Sequence, residues 1–114
     1  MRLDTVASLE GMQEDCAEIC LQAAEIAEWC ADECIGSPEM AECARQCRDV
    51  ADLATLHARF MARDSQWSDG LAKLCADACE TCAETCRGFD AEHCKEAARV
   101  LAECARSCRQ MGGH

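Results

Sequence analysis

The sequence contains few of the residues that break helices or build sheets. Pro38 is the only proline, glycine occurs six times in 114 residues, tyrosine is absent, and aromatic residues make up 4%. Valine, isoleucine and threonine are scarce, and no segment alternates apolar with polar residues, so strands are not expected. Alanine, glutamate, arginine and leucine, which favour helices, are abundant instead. The composition therefore predicts an all-α protein.

Long apolar runs and lysine are also lacking. No apolar run approaches the roughly 18 residues of a membrane helix, and the residues after Met1 do not resemble a signal peptide. Only two residues are lysine, and twenty-two acidic against eleven basic residues give a net charge of −11. Nucleic acids attract basic surfaces, so this charge argues against them as partners. We expect a cytoplasmic protein that binds neither membranes nor nucleic acid.

Turn-forming residues divide the sequence into four helical segments. Gly36-Ser37-Pro38 separates the first two, with Ser37 as the N-cap and Pro38 in the first turn. The second and third segments end at Asp64-Ser65-Gln66 and at Gly88-Phe89-Asp90. Helices are predicted at about 13–35, 38–63, 67–87 and 91–111, after a short N-terminal helix or arm at about 3–10. Short connections make neighbours antiparallel, so we predict a single domain, residues 1–114, folded as an antiparallel up-down four-helix bundle.

Cysteine is the residue type that stands out. Successive residues of an α-helix are rotated by about 100°, which places the cysteines of each predicted helix in one narrow stripe. An amphipathic helix in a bundle turns such a stripe to the core, so the core should be lined with sulfur. The thirteen positions are Cys16, Cys20, Cys30, Cys34, Cys43, Cys47, Cys75, Cys79, Cys82, Cys86, Cys94, Cys104 and Cys108.

Disulfides explain this pattern poorly. A short cysteine-rich chain is commonly a disulfide scaffold, but such scaffolds are rich in loops and an odd count leaves one thiol unpaired. Two cysteines one helical turn apart, as in C-x-x-x-C, are also badly oriented for a disulfide. Buried cysteine can simply be a small apolar side chain, but leucine and isoleucine would fill a core better. The pattern favours metal chemistry.

Copper(I) is the metal that best suits these thiols. It is soft, prefers thiolate and thioether ligands, and thiolates can bridge neighbouring ions. Zinc prefers closed tetrahedral sites, and the one C-x-x-C spacing, Cys79 to Cys82, lies within a helix. Iron–sulfur clusters need four converging cysteines, commonly on loops. A thiol redox or sensor protein, an iron–sulfur protein and a zinc-binding helical protein remain the alternatives.

The cysteine pattern resembles the copper storage proteins, in their cytosolic branch. The resemblance extends from Cys16 to Met111 and is closest at 74–86 and 93–109. It implies a non-enzymatic four-helix bundle that binds many Cu(I) ions for storage or detoxification. It also implies a homo-oligomer, and we expect a copper chaperone or acceptor protein as a partner. Where the family tends to carry further cysteines, this chain has Ala23, Ala27, Val50, Ala54, Ala97 and Leu101. Its capacity should therefore be lower than that of the richest members.

These departures predict two groups of thiols with an apolar waist between them, formed by the six residues just named. In an up-down bundle, one end gathers a first cluster and the other end a second cluster. The first cluster is Cys16, Cys20, Cys75, Cys79, Cys104 and Cys108. The second cluster is Cys30, Cys34, Cys43, Cys47, Cys82, Cys86 and Cys94.

Two further side chains are predicted to bind copper beside the first cluster. Met61 and His57 lie on the thiol face of the second helix, and we expect them to form a mouth where copper enters. Met12 and Met111 fall at the same end. His93 either caps the second cluster or is a solvated helix residue. Exposed apolar residues on the first helix, Trp29 and Leu21, suggest an oligomer surface.

Overall fold

Four long α-helices form the structure. The computed structural model describes residues 11–111, apart from the side chain of Met12, so the predicted N-terminal arm lies outside the described residues. The helices are α1 (Gly11–Glu33), α2 (Ala41–Ala62), α3 (Ser68–Arg87) and α4 (Glu92–Met111), and a single 3-10 turn, Pro38–Met40, precedes α2. The four predicted segments match these helices.

Each helix packs against two neighbours. Helix α1 contacts α2 and α4, and α3 contacts the same two helices from the other side. Facing thiols show that α2 and α3 run in opposite directions, because Cys43 meets Cys86 and Cys47 meets Cys82. Residue numbers thus rise along one helix as they fall along the other. The predicted antiparallel up-down four-helix bundle is confirmed.

Two turns use left-handed backbone. Gly36, after α1, has φ +92°, a conformation that glycine adopts without steric cost. Asp64, after α2, has φ +51°, which aspartate tolerates better than most other residues. Its backbone N–H donates to the Met61 carbonyl, which closes the end of the helix. The polar break between α2 and α3 therefore depends on Asp64. At the start of α2, Ser37 makes no side-chain capping hydrogen bond, and Pro38 opens the 3-10 turn instead.

The core consists mainly of cysteine and alanine. All thirteen cysteines and many alanines are buried. Larger side chains are few, and the four largest that are fully buried are Met61, Leu101, His57 and Val50. Small side chains let helix axes approach closely. That closeness brings sulfur atoms from different helices into contact.

The outer faces are charged. Arg109 joins α4 to α3 through ion pairs of 2.7 Å with both Asp77 and Glu80. Exposed ion pairs of this kind each contribute little to the free energy of folding. The apolar and thiol contacts of the core therefore hold the helices together. Among the described residues, no helix combines the length and apolar character needed to cross a membrane.

The few large aliphatic side chains of this core should matter more than their number suggests. We expect Leu101→Ala to lower the free energy of unfolding of the metal-free protein by about 2–5 kcal/mol, because a fully buried leucine leaves a cavity among small neighbours. Urea unfolding under reducing conditions measures this. The control Leu74→Ala removes a side chain that is 52% exposed and should change stability by no more than about 0.5 kcal/mol. Equal stabilities for the two variants would contradict the expectation.

Candidate metal centre

The thiols lie where the helical periodicity predicts. All thirteen are free and buried, with at most 2% of each residue exposed. Eleven of them, together with His57, form four overlapping groups of four donors, and in each group the ligand atoms lie within 4.8 Å of one another. Two groups belong to one end of the bundle and two to the other, and among residues 11–111 no group draws on both ends.

The first cluster is built around two shared thiols. Cys20 Sγ lies 3.8 Å from Cys104 Sγ and 3.8 Å from Cys108 Sγ, and the last two atoms are 4.0 Å apart. Cys20 and Cys108 belong to both four-donor groups of this cluster. One group adds Cys75 and Cys104, and the other adds Cys16 and an imidazole nitrogen. A thiolate shared between two groups is placed to bridge two ions.

The second cluster has the same plan. Cys30 and Cys43 belong to both of its four-donor groups, one completed by Cys34 and Cys94 and the other by Cys47 and Cys86. The sulfur atoms of Cys43 and Cys86 are 3.5 Å apart, bringing α2 and α3 together. Each end of the bundle therefore holds two donor groups that share a pair of thiols.

The waist between the clusters covers three helices. The predicted residues are all buried, with at most 1% exposed: Ala23 and Ala27 on α1, Val50 and Ala54 on α2, and Ala97 and Leu101 on α4. Helix α3 contributes no apolar residue in register with them, because Cys79 and Cys82 are adjacent members of its thiol stripe. Among the described residues these two cysteines stand outside the four-donor groups. The waist therefore interrupts the thiol stripes of α1, α2 and α4, whereas the thiol stripe of α3 is continuous.

His57 is part of the first cluster. Its Nδ1 lies 3.5 Å from Cys20 Sγ and 3.6 Å from Cys108 Sγ. The side chain is fully buried, and its Nε2 has no hydrogen-bond partner. Met61, one turn further along α2, is also fully buried, while Met111 is partly buried against the core. Met61 and His57 therefore line the inside of the bundle and do not reach solvent, whereas Met111 is partly exposed.

His93 is the donor that periodicity alone leaves undecided. Its Nδ1 lies 3.3 Å from Cys30 Sγ and 3.6 Å from Cys94 Sγ, so it caps the second cluster. Unlike His57 it is only partly buried, and its ring meets Trp29 edge-on with centroids 6.1 Å apart. The sequence signal for this contact is the adjacency of His93 to Cys94.

Hydrogen bonds among thiols shift their pKa values in opposite directions. Hydrogen bonds from Cys108 and Cys20 lower the pKa of Cys16 to about 3. The hydrogen bond between Cys20 and Cys104 contributes most to raising the pKa of Cys20. Hydrogen bonds within the first cluster therefore favour the thiolate form of some cysteines, including Cys16 and Cys75, and the protonated form of others, including Cys20.

The second cluster shows the same contrast. The hydrogen bond between Cys30 and Cys47 contributes most to lowering the pKa of Cys30, and His93 lowers this pKa further. Burial raises the pKa of Cys94 to about 12. A bound cation would displace the remaining protons, because thiolate is the ligand form of cysteine. Both clusters are thus suited to soft metal ions that several thiolates can share.

Comparison with known proteins gives consistent matches. The model of the family described as copper storage protein matches residues 8–113. The uncharacterized cysteine-rich protein YhjQ of Bacillus subtilis (strain 168) is 31% identical over 106 residues, which cover 90% of this chain and 98% of that protein.

Two solved structures have the same fold. The Cu(I)-bound copper storage protein BsCsp3 superposes with a TM-score of 0.85 at 30% identity, covering 90% of this chain and 99% of the other. A cytosolic copper storage protein from Streptomyces lividans, with five coppers, gives 0.84 at 26% identity, covering 90% and 93%.

Replacing the buried imidazole of His57 tests whether this side chain is present for packing or for metal binding. We expect His57→Leu to leave the stability of the metal-free protein within about 1 kcal/mol of wild type or to raise it, because an unpartnered buried polar atom costs about 1–3 kcal/mol. Thermal and urea unfolding of the reduced protein measure the change. A destabilisation as large as that expected for Leu101→Ala would instead assign His57 a packing role.

Proposed function

The chain belongs to the copper storage protein family, and from that premise we propose that it stores several Cu(I) ions on its core cysteines and so buffers or detoxifies copper. The observation that carries the proposal is the burial of thirteen free thiols in two clusters, each with two donor groups that share a thiol pair. The whole chain would act as one storage domain.

Copper(I) matches these donors in softness and in coordination number. It accepts two or three thiolate ligands, and thiol contacts between helices are as short as 3.5 Å. Because Cys20 and Cys108, like Cys30 and Cys43, occur in two groups each, several ions can be held with fewer ligands than separate sites would need. All thirteen cysteines are proposed ligands. His57 and Met61 are proposed to add imidazole and thioether donors to the first cluster.

Storage, and not catalysis, is the role that this core supports. A reacting substrate needs room beside the reactive group, whereas the thiols here are packed against one another inside the bundle. Thioethers bind copper(I) more weakly than thiolates, so the buried Met61 is suited to pass copper on to the thiolates of the first cluster. The family is non-enzymatic, and we assign no reaction to this chain.

The shared thiols allow a sharp test of copper storage. We expect Cys20→Ala/Cys108→Ala to lose the Cu(I) capacity of the first cluster and to keep that of the second, because both donor groups of one end lose two ligands at once. Cys30→Ala/Cys43→Ala should do the converse. The measurement is anaerobic Cu(I) titration of reduced protein against a competing chelator.

The matched control for both variants is Cys79→Ala/Cys82→Ala, which also removes two thiols but none from the four-donor groups. Its capacity should fall less than that of either shared-pair variant. Equal losses in all three would contradict bridging by the shared thiols. A wild-type protein that binds no more than one Cu(I), or that is purified brown with an iron–sulfur cluster, would contradict storage itself.

We also propose that the protein works in the cytoplasm as a homo-oligomer that exchanges copper with a chaperone or acceptor protein. The Streptomyces relative described as cytosolic supports the location. Support for an oligomer comes from α1, where Leu21 and Trp29 are 45% and 42% exposed. Trp29 borders a groove between α1 and α4 that combines the apolar side chains of Ile26 and Val100 with charged residues such as Glu25 and Arg99.

The oligomer proposal predicts that Trp29→Glu lowers the molar mass in solution, because burying a carboxylate between copies costs its hydration. Size-exclusion chromatography with light scattering measures it. The control is Trp67→Glu, which changes an exposed tryptophan next to α3, away from the groove. A wild-type monomer, or dissociation by the control alone, would contradict this interface.

A further inference from the structure

One of the four donor groups differs from the others in containing an imidazole. Among the described residues, three groups consist of sulfur only, while the fourth joins three thiols to a histidine. All four members are fully buried. They are Cys16, Cys20, His57 and Cys108.

Three of the six ligand–ligand distances within this group match those of a tetrahedral site. With metal–sulfur bonds of about 2.3 Å and metal–nitrogen bonds of about 2.0–2.1 Å, the edges of a tetrahedron are roughly 3.8 Å between two sulfurs and roughly 3.5–3.6 Å between sulfur and nitrogen. The observed edges are 3.8 Å from Cys20 Sγ to Cys108 Sγ, and 3.5 and 3.6 Å from these atoms to His57 Nδ1. Three edges therefore already have the tetrahedral lengths.

A two-coordinate ion fits the same atoms poorly. Linear coordination places two sulfurs on opposite sides of the metal, about 4.6 Å apart when each bond is about 2.3 Å. The Cys20 and Cys108 sulfurs are closer than that, at 3.8 Å. Two-coordinate binding would also leave Cys16 and the imidazole without a role, and three-coordinate binding would still leave one of the four donors unused. Four converging donors favour an ion that uses all of them.

We infer that Cys16, Cys20, Cys108 and His57 Nδ1 form a tetrahedral site for one divalent cation, with Zn²⁺ as the natural candidate, occupied when copper is scarce. Three thiolates and one neutral imidazole are a common structural zinc set. On binding, each of the three cysteines that still carries a thiol proton releases it to solvent, and the imidazole binds through an unprotonated nitrogen. This inference concerns a different ion from the proposed cargo and does not rest on copper storage.

The geometry also relates the divalent site to the thiol cluster around it. Cys20 and Cys108 belong to the neighbouring all-sulfur group as well, which adds Cys75 and Cys104. Copper(I) loading of that group would therefore draw on two ligands of the divalent ion. The expected consequence is that Cu(I) displaces the divalent ion from the first cluster.

His93 offers a matched control on the other end of the bundle. It too approaches two thiols, at 3.3 and 3.6 Å. However, no fourth donor converges with His93 and these two thiols among the described residues, and the four-donor groups of the second cluster contain sulfur only. His93→Asn should therefore leave divalent binding at the first cluster unchanged, whereas His57→Asn should impair it.

The experiment is a titration of reduced, metal-free protein with Co²⁺ under anaerobic conditions. The first equivalent should give the intense visible bands of tetrahedral Co²⁺ with sulfur-to-metal charge transfer, and Zn²⁺ should abolish them. His57→Asn should weaken binding by at least about tenfold, the lower end of the loss caused even by altering a ligand's supporting partners. A tetrahedral spectrum unaffected by His57→Asn, or only a weak octahedral spectrum, would overturn the inference.

A second variant separates loss of a ligand from loss of the fold. His57→Cys keeps a donor at this position, so tetrahedral binding should return with stronger charge transfer. Failure of His57→Cys to bind, when its circular dichroism matches that of wild type, would overturn the assignment. Cu(I) titration of the same preparations distinguishes this outcome from failure of copper storage, since storage predicts many Cu(I) ions whether or not Co²⁺ binds.

Discussion

The close approach of sulfur atoms across the bundle axis is the contact on which the rest of the structure depends. Thiols on different helices lie 3.5–3.8 Å apart, which requires the helices to pack closely. Alanines next to the thiol stripes, such as Ala17, Ala24 and Ala76, allow this because they add little bulk between helices. The abundance of alanine is therefore as much a part of the metal centre as the cysteines are.

Chemistry explains why such a core can exist without metal. A thiol behaves as a small apolar group with a weak hydrogen-bonding capacity, so burying thirteen of them costs far less than burying hydroxyls or carboxylates. Hydrogen bonds between thiols satisfy this weak capacity, as between Cys20 and Cys104. The same groups become strong ligands once a cation displaces their protons. One set of side chains thus packs the metal-free bundle and binds ions.

The sequence predicts most of this arrangement, because periodicity determines which face of each helix is buried. The break before α3 falls at the predicted residues, where Asp64 has left-handed backbone. The start of α2 is predicted less well, because the helix begins at Ala41 after a 3-10 turn that the composition does not reveal. Metal binding by the individual residues stays a prediction, since helical periodicity gives the direction of a side chain and not its ligands.

What periodicity cannot give is how far one helix slides along another, and that shift decides the roles of the two histidines. His57 is on the predicted face, but only the alignment of α2 with α1 and α4 brings its Nδ1 within 3.6 Å of both Cys20 and Cys108. His93 on α4 contacts Cys30 on α1 because these two helices are aligned in the same way. The waist packs the core between the two clusters, because Val50 and Leu101 are among its largest side chains. Apolar residues at these positions bind no metal, but they fill space between the helices that carry both histidines.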